Sequence, residues 1–212
     1  MADRGRPRTF DREQALLRAM EIFWEKGFEG TSMVDLTTGM GIGAPSLYAA
    51  FGSKEELFRA AVALYVSTDG ADIWGALAKA ETAYGAIEAF LMESAQKFNR
   101  PDKPSGCLVV LSALHATDGN KALRAELVAR RSKNTTNLAA RLAKAVKNGE
   151  LPPGTDVDRM ARFYVTVQQG MSIQARDGAD RMMLEEIARS ALAAWGSLAP
   201  NGVRYVGASQ PL

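Results

Sequence analysis

The 212-residue chain has one histidine and one cysteine, and these two scarcities exclude much of the chemistry a protein of this size could perform. One histidine cannot form a His-rich metal site or a His pair. One cysteine cannot form an intrachain disulfide framework, and it points to a reducing cytoplasm. The chain holds no Gly-Lys-Ser/Thr phosphate loop, no HExxH and no CxxC. Its adjacent carboxylates, Glu55-Glu56 and Glu185-Glu186, diverge by about 100° around a helix and read as surface. Cys107 and His115 stand eight residues apart, roughly 12 Å at about 1.5 Å per residue, too far for a nucleophile and its base. The most apolar run, Cys107 to Ala116, is too short to span a bilayer. The start, MADRGRPRTFDRE, is too charged for a secretory signal. No strand pattern of any length and no internal repeat is visible. The expectation is a non-enzymatic cytoplasmic protein without metal, cofactor or membrane association.

What is present suits a soluble helical protein: 47% hydrophobic and 24% charged residues, on a length that allows one large or two small domains. The net charge is only +2, so the distribution of charge says more than its sum. Arg4, Arg6 and Arg8 cluster in a Gly/Pro-containing arm, Lys54 stands at a helix start, and Glu13, Glu21, Glu25 and Glu29 lie on or after the first helix. Such polarity can present a basic face at near-zero net charge.

The densest signals lie between Thr31 and Leu57, TSMVDLTTGMGIGAPSLYAAFGSKEEL. Ser32 and Asp35 have capping-box spacing, and so do Ser53 and Glu56. Met33, Leu36 and Met40 recur at helical period. Gly39, Gly41 and Gly43 punctuate the end of that helix. Pro45 suits the first turn of the next, whose buried side is Leu47, Ala50 and Phe51. Helix, short glycine turn, helix is the helix-turn-helix pattern. The string Gly39-x-Gly41-x-x-Ala44 also fits a loose dinucleotide fingerprint, but that motif needs a preceding strand, and a capped helix precedes it here.

Before this stretch, Ala15, Leu16, Ala19, Ile22 and Phe23 form one apolar stripe, with Thr9 as candidate cap and Gly27 as the stop. After it, a helix from Lys54 either runs on towards Trp74 or Leu77 or breaks at Gly70 or Gly75. Further helices are expected over 84–98, from Cys107, over 120–148 with Asn120 as cap, from a Thr155/Asp158 capping box to Gly178, and over 179–198. The many Arg and Lys residues of the 120–148 segment read as a solvated face.

TSMVDL, GIGAPSLYAAF and SKEELF, with the preceding AMEIFWEKGFEG, resemble the DNA-binding domain of TetR-type transcriptional regulators. The likeness is dense from about Thr9 to Tyr65, while GCLVV and the VQQGMSIQARDGA region resemble the ligand-binding half of one branch of that family. The resemblance implies an all-α chain in four parts: a basic arm (1–8), a DNA-binding domain (9–69, with its helix-turn-helix at about 32–51), a helical regulatory and dimerisation domain (70–199) and a tail (200–212). It implies a ligand-responsive regulator, a repressor that a small molecule releases from a palindromic operator. The partners are then double-stranded DNA, a largely apolar effector and a second copy of the chain.

Residue by residue, Tyr48, Lys54 and the Thr31-Ser32 helix start match the family's phosphate-contacting positions. Ala44, Pro45, Ser46 and Ala49 match its base-facing side, and Arg4, Arg6 and Arg8 form the arm. The chain departs from the usual pattern at Gly43, where a capping Ser or Thr is common, and at Ala49-Ala50. Base readout would then use thymine methyls or DNA shape. The expected effector pocket is lined by Trp74, Phe90, Phe98, Cys107, His115, Tyr164 and Gln168. The same side chains would equally make a plain core. The expected dimer surface, on the last two helices, is Phe163, Gly170, Met171, Ile187, Ala191 and Trp195. His115 otherwise reads as a hydrogen-bonded core histidine. Cys107 reads either as an inert small hydrophobe or, just inside a helix start, as a sensor thiol. The alternative to a regulator is an all-α binding protein or enzyme with an incidental helix-turn-helix, separable by salt-sensitive retention on DNA.

Overall fold

The structure, a computed structural model, describes residues 10–112 and 120–199. Arg4, Arg6, Arg8, Thr9, His115 and the 200–212 tail lie outside the described residues. Within them the chain is helical, with no strand, and no helix is long and apolar enough to cross a membrane.

Asp11 begins α1 (Arg12–Gly30), its carboxylate accepting from the N–H groups of Glu13 and Gln14 at 2.9 and 3.1 Å. The cap is therefore Asp11 and not the expected Thr9. Gly27 does not end this helix but kinks it, at φ 71° and ψ 173°. Both expected capping boxes form. Ser32 Oγ accepts from Asp35 N at 3.0 Å while Asp35 accepts from Ser32 N at 2.8 Å, opening α2 (Met33–Met40). Ser53 and Glu56 do the same for α4 (Lys54–Ser67). Between them, Gly41 closes α2 in the left-handed region at φ 66°, where a side chain would cost about 1 kcal/mol. That tight turn sends the chain directly into α3 (Ala44–Phe51).

The α4 helix stops where Thr68 turns back on it, its hydroxyl donating to Leu64 O at 2.7 Å. A separate α5 (Ala71–Lys79) follows Gly70, and Gly75 sits inside it. Then come α6 (Ala83–Lys97), α7 (Leu108–Ser112) and α8 (Lys121–Lys147). Asn120 precedes α8 without capping it, because its amide donates to Glu29 instead. The cap of α9 (Val157–Arg176) is Asp156, accepting from Arg159 N at 2.9 Å, while the Thr155 hydroxyl donates to Pro152 O. The expected Thr155/Asp158 box is thus displaced by one residue. The segment expected as one helix over 179–198 divides into α10 (Arg181–Ala193) and α11 (Trp195–Leu198).

Two hydrophobic clusters hold these elements. In the first, α1 to α4 close around Phe23, Phe28 and Phe58, whose rings meet edge-on with centroids 5.0 Å (Phe23–Phe58) and 5.3 Å (Phe28–Phe58) apart. Edge-to-face pairs add about 0.5–1.5 kcal/mol beyond burial. Leu108, Val109, Leu123 and Leu127 complete this cluster, so residues 9–69 do not close their own core. The second cluster joins α5, α6, α9, α10 and the end of α8 around Phe90, Phe98, Tyr164 and Trp195.

A polar seam ties the two. Trp24 Nε1 donates to Gly106 O at 3.2 Å, and Cys107 N donates to Ser172 Oγ at 2.8 Å. From the end of α9, Arg176 donates to the carbonyls of Trp24 and Glu25 at 2.7 and 3.1 Å. Helix α1, the loop before α7 and helix α9 thereby meet at Trp24.

Candidate nucleic-acid interface and effector cavity

The geometry of α3 follows from which side of a two-turn helix must be covered. Leu47 and Phe51 are buried against the first cluster, which leaves Ala44, Pro45, Ser46, Tyr48 and Ala49 exposed together. Tyr48 is 51% exposed, a large outlay of aromatic surface unless something covers it. Gly43 gives the helix no side-chain cap, so its first N–H groups are left for an outside acceptor.

Lys54, in the first turn of α4, lies with Nζ 4.4 Å from the centre of the Phe28 ring. Burial lowers its pKa, and the nearby acids Glu29, Glu55 and Asp35 work the other way. Ser32 is exposed, and its hydroxyl is already engaged, donating to Asp35 at 2.6 Å. Asp35 is itself paired with Lys26, and that hydrogen bond above all holds its carboxyl far below the usual range. Thr31 is a correction. It is 1% exposed and its hydroxyl donates to Gly27 O at 2.6 Å, so its side chain braces the kink and cannot reach a phosphate.

Residues of α4, α5, α7, α8 and α9 enclose a cavity of about 330 Å³. Of the seven expected lining residues it includes Trp74, Cys107 and Gln168. Phe90, Phe98 and Tyr164 are 0%, 1% and 0% exposed and serve as core. Phe90 backs Trp74 at 5.1 Å between ring centres, and Tyr164 lies beside Trp195, away from this wall. The expectation of a largely apolar pocket is also corrected, because Arg130, Arg131, Lys133, Asn134 and Asn137 from α8 form one side. Tyr65, a buried member of the first cluster, forms part of the wall too.

Residues 15–61 match the family described as bacterial regulatory proteins, tetR family, and residues 83–191 match the tetracyclin repressor-like C-terminal domain. The HTH-type transcriptional repressor ComR of Escherichia coli (strain K12) is 35% identical over 92% of this chain and 93% of its own length. The uncharacterized HTH-type transcriptional regulator YezE of Bacillus subtilis (strain 168) is 30% identical over 86% of this chain and 94% of its own length. A cysteine mutant of the TetR family transcriptional regulator CifR, complexed with 26bp double-strand operator DNA, superposes with a TM-score of 0.86 at 42% identity. It covers 90% of this chain and 100% of that one. The chain belongs to the TetR family.

Sequence reasoning missed several features of this TetR-family regulator. The basic run of α8 read as a solvated face, yet part of it walls the cavity. Tyr65 had no assigned functional role in the sequence, and the structure shares it between the first core and the cavity.

Burial works against a reactive Cys107 thiolate. The residue is half-buried in the cavity wall. The protein packed around its sulfur pushes the thiol pKa up, against the Tyr65 hydroxyl, the Val110 and Val109 N–H groups and Arg131, which all favour the thiolate. Reaction with iodoacetamide at neutral pH should therefore be slower than for a free thiol, with the midpoint of its pH–rate profile shifted upward. A rate equal to or above that of free cysteine would restore the sensor reading.

The expected dimer residues divide. Met171, Ala191 and Trp195 are 0%, 7% and 1% exposed within the single chain. They are corrected to core, since a side chain already covered by its own fold cannot face a second copy. Phe163 and Ile187 are half-buried and Gly170 is exposed. They share the outer faces of α9 and α10 with Ile173, Met182 and Met183, which are 37%, 64% and 53% exposed.

Proposed function

We propose that the chain is a homodimeric, effector-released repressor that reads a near-palindromic operator with α3. The observation that carries this is the shared exposure of Ala44, Pro45, Ser46, Tyr48 and Ala49 beside Lys54. The frame behind them includes Tyr65, which is also part of the cavity wall. Ala44 and Ala49 offer methyl surface to thymine methyls, and Ser46 offers a short hydroxyl to base edges. Tyr48, Lys54 and the N–H groups at the start of α2 serve phosphates. The arm of Arg4, Arg6 and Arg8 adds affinity through phosphates or an adjacent minor groove. The 9–69 and 70–199 segments are the reading and regulatory units, although the first borrows Leu108, Val109, Leu123 and Leu127 for its core. The protein works in the cytoplasm, at the nucleoid, and no catalytic step is assigned to it.

The release mechanism follows from the seam. A ligand in the cavity touches Tyr65 and Cys107 directly, and the next carbonyl along, Gly106 O, is held by Trp24 of α1. A ligand that fits better when Tyr65 or the 106–107 backbone shifts will bias the angle of α1 and α4, and with them the spacing of two α3 helices in a dimer. Dimerisation uses the outer faces of α9 and α10. Ile173→Glu should place a charge in that contact and convert the dimer to monomer in sedimentation, with the helical circular dichroism unchanged. A mutant that remains dimeric would move the interface elsewhere.

The decisive test is genome-wide capture of duplex fragments by the purified full-length chain, ligand-free and at low salt. A recovered near-palindrome with half-sites about 34 Å apart, or a larger multiple, supports the reading. Binding no better than non-specific across the library ends it.

A further inference from the structure

The cavity is charged on one side only. Ile73, Trp74 and Val110 make an apolar wall, and Arg130, Arg131 and Lys133 stand opposite on α8. Among the described residues no aspartate or glutamate lines the space. Among the described residues none of these three cations has an ion-pair partner, whereas Arg59, on the neighbouring helix, takes the acid Glu126 of α8. Arg131 is half-buried and close enough to the Cys107 sulfur to favour its charged form. Gln168 is a second, independent sign. It is 7% exposed, it lines the cavity, and its amide makes no hydrogen bond among the described residues. Its polar atoms are open to the cavity rather than sealed in the core, so a ligand there can reach them.

We propose that the cavity takes an amphipathic organic monoanion, a carboxylate on an aromatic or short alkyl body. The body lies against Trp74, Ile73 and Val110, the carboxylate turns to Arg131 and its flanking cations, and Gln168 hydrogen-bonds the ligand. The inference rests on the reading of this cavity as the effector site, and it specifies the ligand class. A guanidinium beside a low-dielectric wall matches a planar carboxylate through two parallel hydrogen bonds. A cation would be repelled by the half-buried Arg131, with a smaller contribution from the exposed Arg130 and Lys133. A neutral apolar ligand would draw nothing from the α8 side and would leave Gln168 unpaired. The volume of about 330 Å³ lies at the small end of the range of about 300–1,000 Å³ for ligand pockets, which suits one or two rings or a medium alkyl chain.

The experiment is calorimetric titration of the full-length protein with naphthylacetate, phenylbutyrate and octanoate, each beside its own primary amide. It is done at low and high salt, and repeated with Arg131→Gln and Gln168→Leu. At least one acid is expected to bind about tenfold or more tightly than its amide, the worth of one charge-assisted pair. That preference should shrink with salt and disappear in Arg131→Gln. Gln168→Leu should weaken acid and amide alike. Thermal unfolding of both variants checks that the fold survives. Equal affinity of acid and amide overturns the anion assignment, and so does an acid preference that Arg131→Gln leaves intact, or no binding by any of the six probes. The effector reading fails differently: an acid that binds with the expected Arg131 dependence but never displaces operator DNA upholds the ligand class and removes the cavity's role in release.

Discussion

Gly106→Ala should destabilise the protein by about 2–4 kcal/mol, while Gly149→Ala should cost about 1 kcal/mol. Both glycines have positive φ, 78° and 77°, so both alanines pay the same left-handed backbone penalty. Only the first also meets a wall. A Cβ on Gly106 would lie 2.5 Å from Ser172 O, 2.9 Å from Leu111 Cδ1 and 3.1 Å from Ser172 Oγ, whereas one on Gly149 has nothing within 4 Å. The leucine can swing aside. The Ser172 carbonyl cannot, because it lies inside α9. Relief must come from the 106–107 backbone, and that backbone is pinned. Gly106 N donates to Phe98 O at 2.9 Å, Gly106 O accepts from Trp24, and Cys107 N donates to Ser172 Oγ. For a domain of this size the loss corresponds to a fall in Tm of roughly 5–15 °C. Urea unfolding of the two single mutants checks it, and equal losses would show that the close approach at Ser172 carries no cost. Because the same backbone borders the cavity, a Gly106→Ala protein that still folds should also respond to effector abnormally.

What could be read in the chain was whatever a few neighbouring residues decide. Ser32 with Asp35 and Ser53 with Glu56 each satisfy orphan donors within one turn, so both boxes were legible from spacing alone. The exposed face of α3 was legible for the same reason: once Leu47 and Phe51 are assigned inward, a two-turn helix leaves the other side no choice. The caps that shifted, Thr9 to Asp11 and Thr155 to Asp156, lay where two candidate oxygens stood within one or two residues and the local backbone decided between them. Asn120 lost its capping role to Glu29, 91 residues away. Such distant pairings leave no periodic trace. Trp24 with Gly106 is another case, at a separation of 82 residues. Which residues of the expected dimer surface stay exposed was only partly legible, because apolar content alone does not say which side chains their own chain covers. Trp195 and Met171 are covered by their own chain and Gly170 is exposed. Thr31 was misplaced because its position in the motif says nothing about the kink at Gly27, which consumes its hydroxyl.

The second large effect is on operator binding. Lys54→Ala should weaken the ligand-free dimer for its operator roughly thirtyfold, at about 1 kcal/mol for each of two half-sites. The loss should be nearly the same for every duplex, and the plot of log affinity against log salt should flatten by about one unit per half-site. Ser46→Ala should behave otherwise, changing the preference at one or two base positions by about 1–3 kcal/mol while the salt slope stays put. Tyr48→Phe, which removes only the hydroxyl from a side chain 51% exposed, should resemble a weaker Lys54→Ala. The pH dependence separates Lys54 from a generic surface lysine. Burial lowers its pKa in the free protein, and the phosphate contact needs the ammonium. Affinity should therefore start to fall, as pH rises, earlier than an ordinary lysine would allow, with the approach of DNA itself pulling the pKa back up. Lys54→Arg keeps its charge far into alkali, so it should remove this early alkaline loss. Burial is the structural reason to expect the shift, while the Phe28 ring 4.4 Å away favours the charged form and can take a guanidinium on the same face. Binding measured by fluorescence anisotropy across pH and salt decides the matter. An alkaline limb identical in wild type and Lys54→Arg, or a salt slope unmoved by Lys54→Ala, would place the phosphate contact on some other side chain.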